Sequence, residues 1–378
     1  MSAERVSPAP ERAVDVTPAD AVQETFQGYH HVTHVIPLPG AAPDGSRVRG
    51  KVREPRANLL WFDRRCFVSE EQLLGDLQGR VDGIPELIEA GDMRLQRFIE
   101  GRTLAARHRS GREVPGEVVD QVLALFAQML AISADTLKTP RVCEPEDRAT
   151  DPNSSEFLER LITFAEERVY RENLEDFKSL FDALGIEADS FKKLRKNVSD
   201  LTERPFCLLH ADLHRENLIL DRENRLWTID WELAMFGDPL YDLATHLYLM
   251  RYPEEQHNSL AERWSSLAEQ VRPGSAKNWE SDLPKIMDFK RAQSVFTDVI
   301  RATQILGSGA RFNWPQLYRE ASKVHGALLG GAEPLGLMGV PTLRYVMTSL
   351  VRWHRERRNR NRSDRQRNDH QDTEIAFP

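Results

Sequence analysis

The sequence predicts an α+β protein with its strands gathered at the front and its helices behind them. Period-two alternation is confined to residues before Gly101, and helical periodicity covers most of the chain beyond it. At 378 residues the chain also exceeds what one small core needs, so more than one domain is expected. The expected divisions are a flexible leader at 1–22, a β-rich unit at 23–101, a helical unit at 102–350 and a basic, disordered tail at 351–378.

Within the β-rich unit, "ETFQGYHHVTHVIPL" (24–38) is rich in β-branched and aromatic residues around Gly28. A turn-rich stretch leads to "RVRGKVRE" (47–54), where Arg49, Lys51 and Arg53 alternate with Val48 and Val52. "FVSEEQLLGDL" (67–77) reads as a helix, with Ser69 and Gln72 fitting a capping box and Leu73, Leu74 and Leu77 forming the apolar stripe. Two more strands flank Gly91. Trp61, Phe62 and Phe67 read as core. Beyond Gly101, helices are expected at 115–134, 155–172, 187–202, 238–250, 255–271, 282–306 and 315–329, with a loop at 141–155.

Composition narrows the function. The fractions, 40% hydrophobic and 29% charged, describe a soluble globular protein. Three scattered cysteines with no CxxC argue against a disulfide framework and a zinc ribbon, and suit a reducing cytoplasm. The first sixteen residues carry prolines and charges where a signal peptide needs an apolar run. The longest apolar run, 122–132, is too short to span a bilayer, so no membrane role is expected. Net charge is −8, but 352–367 alone carries +6, leaving −14 on the remainder. An acidic body disfavours nucleic acid and suits a cationic small molecule.

The dense polar stretch at 208–232 carries the chemistry. "NLILD" (217–221) and "RLWTID" (225–230) read as a hairpin around "DRENR", with Asn224 able to take positive φ. Centring the turn between Glu223 and Asn224 puts Asn217 opposite Asp230, with Cβ atoms roughly 4.5–5.5 Å apart. An amide oxygen and a carboxylate so placed can hold one Mg²⁺. Asp212, at the end of the preceding strand, is left to meet a substrate hydroxyl. Phosphoryl transfer needs this layout, and H-x-D-x-x-x-x-N followed by a strand-borne Asp is the protein-kinase signature in relaxed form.

At these residues, "HADLHRENLIL" (210–220) and "IDWELAMFGDPLYDLA" (229–244), the chain resembles the aminoglycoside phosphotransferase and choline kinase family. The resemblance implies a bilobal, protein-kinase-like α+β fold that binds ATP and Mg²⁺ between its lobes. It also implies Asp212 as the catalytic acid/base, Asn217 and Asp230 as metal ligands, and His210, Asp238 and Asp242 as structural support. A lysine on the third strand should hold the phosphates with a helix glutamate, which selects Lys51 and Glu70, while Arg49 and Arg53 share that strand face and either is an alternative phosphate contact. Gly28 would begin the turn over the phosphates, and backbone groups of Phe98, Ile99 and Glu100 would face the adenine. The expected activity is ATP-dependent phosphorylation of a small-molecule hydroxyl, on an antibiotic of aminoglycoside or nucleoside type. The alternatives are a choline-like amine or sugar metabolite as acceptor, or a catalytically silent nucleotide-binding module.

Overall fold

The computed structural model describes residues 24–27, 31–41, 47–56, 64–90, 93–307 and 311–374. Gly28, Trp61, Phe62 and the leader at 1–22 lie outside the described residues.

Alternating sequence at the front folds as an antiparallel sheet of β1 (Glu24–Gln27), β2 (His31–Ala41), β3 (Arg47–Pro55), β4 (Leu87–Ala90) and β5 (Met93–Arg97), in the order β1-β2-β3-β5-β4. Pairing sets Val35 opposite Lys51 and Thr33 opposite Arg53. The alternation of β3 therefore puts Arg49, Lys51 and Arg53 on one face. Between β3 and β4 lies α1 (Glu70–Leu77), whose Leu73, Leu74 and Leu77 are fully buried. Its Ser69 cap accepts the Gln72 N–H at 3.2 Å.

After β5, the Phe98 N–H is bound by the Arg49 carbonyl at 2.8 Å. At Gly101 a Cβ would lie 2.5 Å from the Leu220 carbonyl oxygen, so only glycine lets the backbones come this close. Next come β6 (Arg102–Thr103), α2 (Leu104–Arg107), α3 (Gly116–Leu130), α4 (Ser154–Phe164), α5 (Leu174–Ala183) and α6 (Ser190–Asn197). The short strands β7 (Cys207–Leu209), β8 (Leu218–Leu220), β9 (Leu226–Thr228) and β10 (Met235–Gly237) precede α7 (Pro239–Met250). The chain then runs through α8 (Glu254–Val271), α9 (Trp279–Gly307), α10 (Trp314–Leu335) and α11 (Leu343–Glu374). Strands β6, β8 and β9 form one small sheet and β7 pairs with β10, both set on the helices. The result is a small β lobe and a larger helical lobe, the bilobal kinase-like α+β arrangement.

Several elements depart from expectation. The helix expected at 155–172 gives way after Phe164 to a wider π-helical turn, Ala165–Tyr170. The one expected at 187–202 is shorter, ending at Asn197 before Asp200 takes φ 59°. Not anticipated was α5, although Phe177, Leu180 and Phe181 form its buried stripe. The tail expected to be disordered from 351 is instead a continuation of α11 to Glu374. Buried Val346, Leu350 and Trp353 anchor that helix. Trp353 stacks on Phe177 at 4.9 Å and donates its indole N–H to the Asp176 carbonyl. Arginine, a strong helix former, then lets the helix propagate.

Candidate active site

The strands β7 and β8 bracket the loop that carries the polar motif. Its backbone is strained at Ala211 (φ 64°), a left-handed conformation that costs a residue with a Cβ about 1–2 kcal/mol. The fully buried Asp242 on α7 holds it there, accepting the His210 and Ala211 N–H groups at 3.0 and 2.8 Å. Burial pushes the Asp242 carboxyl up to about 6, partly offset by those two N–H donors. Asp238 caps α7 by accepting the Leu240 N–H at 2.9 Å and is itself clamped by the buried Arg204, which also reaches Asp282 at 2.8 Å. Below the loop, His246 sits between the Leu213 carbonyl (Nδ1, 3.0 Å) and the Tyr252 hydroxyl (Nε2, 2.9 Å). Burial lowers His246 to about 4, so the ring is neutral, donating through Nδ1 and accepting through Nε2. Arg215 ties the far end of the loop to three backbone carbonyls, those of Met250, His108 and Arg112.

So held, Asp212 is reached by three neighbours. Asn217 donates its side-chain amide to the Asp212 carboxylate (3.1 Å) and backbone carbonyl (3.0 Å). The Asp212 N–H donates to His210 Nδ1 at 3.3 Å, and His210 Nε2 meets the Ile229 carbonyl at 3.1 Å. His214 lies 3.4 Å from the Asp212 carboxylate. Burial opposes its charge, but that carboxylate more than offsets the penalty and leaves the imidazole above its ordinary value.

The hairpin register differs by one from the expected one. Leu218 faces Thr228 and Leu220 faces Leu226, so Asn217 falls opposite Ile229, whose N–H it accepts. Asp221 causes the shift: its carboxylate takes the Glu223 and Arg225 N–H groups, making an odd, three-residue loop that ends in Asn224 at φ 59°. Asp230 instead reaches the site through its own left-handed turn (φ 68°, ψ 59°). Two non-glycine residues, Ala211 and Asp230, thus hold strained backbone at the two corners of one site.

Opposite this loop stands β3. The expected Lys51–Glu70 ion pair is not the one formed: Glu70 pairs with Arg53 at 2.5 Å, and Arg53 also reaches Asp230 at 2.8 Å. Lys51 reaches Gln96 at 3.4 Å, and Gln96 in turn donates to Glu70. Burial lowers the Lys51 ammonium, and the charge of Arg53 lowers it further. Arginine wins because it sits one strand repeat nearer the helical lobe, and its forked guanidinium reaches two carboxylates at once. Burial alone would raise Asp230, but Arg53 and Lys51 more than offset it and hold the carboxyl at about 2. Glu70 spans the lobes, since its other oxygen accepts the Trp231 N–H at 2.8 Å. Arg65, Arg53 and His31 converge on Glu232, two residues past Asp230. Burial and the Asp230 charge push Glu232 up to about 7, and burial beside both arginines drops His31 to about 4.

Arg49 is occupied elsewhere. Its guanidinium forks onto Glu100 (2.6 Å twice), reaches Glu24 and lies 4.5 Å over the Phe98 ring. The Phe98 N–H, one of the backbone groups expected to face an adenine, is instead taken by the Arg49 carbonyl. Sequence reasoning passed over Arg53 as the glutamate's partner, took His214 for a loop residue in the cleft without its contact to Asp212, and missed Glu232, His246, Arg215 and Arg204. Spacing hinted only at His214, two residues from Asp212; the others are brought in by contacts far apart in sequence.

The sequence profile of the phosphotransferase enzyme family matches residues 68–276, more than half of the chain, and the chain belongs to that family. It is similar to Protein LicA of Haemophilus influenzae, 28% identical over 184 residues that make up 45% of this chain and 52% of that protein. The chain thus spans about half the length of that relative. Similar solved structures include a choline/ethanolamine kinase family protein from Mesorhizobium loti (14% identity, TM-score 0.49, 89% of this chain and 95% of that one). Another is the aminoglycoside phosphotransferase APH(4)-Ia in a complex with ADP and hygromycin B (15% identity, TM-score 0.44, 87% and 95%).

Proposed function

We propose that this protein is an ATP-dependent O-phosphotransferase that moves the γ-phosphoryl group to a hydroxyl of a small molecule. The observation that carries the reading is that Asn217 holds the Asp212 carboxylate while Asp230, at the second of two strained backbone corners, meets Arg53 of the cationic strand face. In this reading Asp212 orients the acceptor hydroxyl and takes its proton, while the β3 cations bind the polyphosphate. His214 steadies the Asp212 carboxylate.

Asn217 and Asp230 would hold Mg²⁺. The Asn217 NH₂ is committed to Asp212, which leaves its carbonyl oxygen for a cation, and hard oxygen donors suit this ion. Among the described residues no group of three or more His, Cys, Asp or Glu is placed to hold a metal. Two protein donors nevertheless fit a cation that shares its shell with phosphate oxygens and water. Bound there, Mg²⁺ would neutralise charge on the phosphates. Arg53 now occupies Asp230, so nucleotide phosphates would draw the guanidinium from the carboxylate it neutralises.

The acidic body, −14 outside 352–367, favours a cationic acceptor such as an aminoglycoside or a choline-like amine. Acceptor-dependent ADP release across a panel of hydroxyl-bearing antibiotics, choline and amino sugars tests the reading. Asp212→Asn should lower turnover by about 10²–10⁴ while nucleotide still binds. Nucleotide binding with no acceptor turned over would favour a silent binding module, and an unaffected Asp212→Asn variant would remove Asp212 from the acid/base role.

A further inference from the structure

Away from this site, the segment entering α1 runs beside the loop that follows α3. The Val142 N–H donates to the Cys66 carbonyl at 3.0 Å, the Val68 N–H donates to the Pro140 carbonyl at 3.2 Å, and Phe67 bridges Arg141 between them. This crossing brings together two cysteines that are 77 positions apart in sequence. Each thiol shifts the acidity of the other, which sets the two side chains next to each other. Both are reduced and buried, yet both line a cavity of about 240 Å³ together with Arg64, Arg141, Arg148 and Phe236. Three arginines against one carboxylate, Asp151, leave the lining net positive, a setting that favours thiolate and attracts a small polar oxidant.

The geometry points to Cys66 and Cys143 as a reversible oxidation site, at which a peroxide converts the two thiols to a disulfide joining the entry to α1 with the loop after α3. The inference is independent of phosphoryl transfer. Cys143 is the attacking sulfur: the Arg148 guanidinium is held beside it by two bonds to the Cys143 carbonyl, and the neighbouring Cys66 thiol first and Arg148 second outweigh burial and hold it at about 6. Cys66 is pushed up, by Cys143 first and by burial second. The Cys143 thiolate attacks one peroxide oxygen and the O–O bond breaks. Hydroxide leaves and takes up the proton that Cys143 had released, giving water and a sulfenic acid. The Cys66 sulfur then attacks the Cys143 sulfur, the S–O bond breaks, and the Cys66 proton leaves with that hydroxide as a second water. One peroxide is reduced to two waters and two thiols are oxidised to one disulfide.

The crossing is held next to the pair, since the Val142 N–H, one residue before Cys143, is bonded to the Cys66 carbonyl itself. The third cysteine is an internal control. Cys207 is fully buried, and burial followed by the Asp242 charge pushes its thiol well up. Arg65, next to Cys66, contacts Glu232 at 3.0 Å, so the new bond would form one residue from the charged cluster.

The test exposes the full-length protein to a slight excess of hydrogen peroxide, unfolds it in denaturant containing N-ethylmaleimide to block every remaining thiol, and maps non-reduced peptides by mass spectrometry. The expected result is a Cys66 peptide joined to a Cys143 peptide, two hydrogens lighter than their sum and separated again by dithiothreitol, with Cys207 still alkylated. Its rate should climb as pH rises through about 6 and then level off. Cys143→Ser should abolish the cross-link and leave Cys66 alkylatable. Full alkylation of both thiols after peroxide, a cross-link through Cys207, or Cys143 carried to sulfinic acid with Cys66 free would each overturn the assignment; the wild-type map decides this even if a variant folds poorly.

Discussion

Replacing Arg204 with methionine tests the support beneath the loop. Arg204 and Asp282 are fully buried and Asp238 is 1% exposed. The guanidinium donates to Asp238 through Nε and one terminal nitrogen (2.7–3.1 Å), and to Asp282 and the Lys277 carbonyl through the other. Methionine would fill much of the volume but leave two carboxylates out of water with no cation between them. Asp238 keeps the Leu240 N–H, and Asp282 keeps the Thr202 N–H and Lys285. A buried pair broken on one side costs about 3–5 kcal/mol, and these remaining donors place the expected loss toward the lower end. Urea denaturation of wild type and variant reads it directly. The pH dependence has a definite sign. In the wild type, burial raises the Asp282 carboxyl, but Arg204 and the Thr202 N–H more than offset that and leave it low. Its stabilisation is therefore present above the ordinary carboxylate range and lost as pH falls through the depressed value. Without Arg204 burial dominates, the folded-state value rises above the unfolded one, and stability is instead lost as pH rises. The gap between the two proteins should thus narrow from about pH 8 to about pH 5, and Asp238→Asn added to the variant should recover part of it, because an asparagine still caps α7. A loss below about 1 kcal/mol, or a gap that does not change with pH, would refute the claim that Arg204 neutralises buried charge.

Two further outcomes rest on the same packing. His246 titrates at about 4 when folded, against an ordinary 6.5, so stability is lost on acidification from about pH 6.5 toward about 4. By about pH 5 its share is about 2 kcal/mol; His246→Asn, which can still donate to the Leu213 carbonyl, should blunt the acid-induced drop in urea midpoint by that amount, and an unchanged drop would refute the neutral-imidazole assignment. Gly237→Ala would drive a methyl into the Phe157 ring, which should cost about 1–3 kcal/mol in thermal or urea unfolding, with Phe157→Leu restoring part of the loss.

Local chemistry was readable from the sequence. Ser69 caps α1 and Asp238 begins a helix because each acts on backbone only two or three residues away, and Asn224 takes the positive φ its residue type tolerates. Choices among equivalent neighbours were not. Arg49, Lys51 and Arg53 share one strand face, and only the distance to Glu70 and Asp230, set by how the lobes meet, picks out Arg53. The hairpin register turned on one side chain, since Asp221 captures two backbone N–H groups and turns an even loop into an odd one. The tail was misread because charge density was weighed without the three buried anchors, Val346, Leu350 and Trp353, that start its helix against the body.

The register error bears on function. Ladder geometry alone would set Asn217 against Ile229 and send the next side chain, Asp230, to the other face of the hairpin. Its left-handed turn reverses that, at a strain of about 1–2 kcal/mol. Ala211 bears a similar strain immediately before Asp212, without the polar side chain that eases this conformation for asparagine or aspartate. Buried carboxylates enforce each corner: Asp242 on the two N–H groups at 210 and 211, Glu70 on the N–H at 231. Neither distortion improves packing, since Ala211 adds little apolar area and Asp230 places a carboxylate among arginines. In the proposed reading the two distortions serve one end: each sets a carboxylate, that of Asp212 or Asp230, and Asp230 meets the cationic strand through Arg53. The stability given up at both corners then serves what would bind there, and oxygen donors opposite a cationic strand would suit a phosphate with its counter-ion.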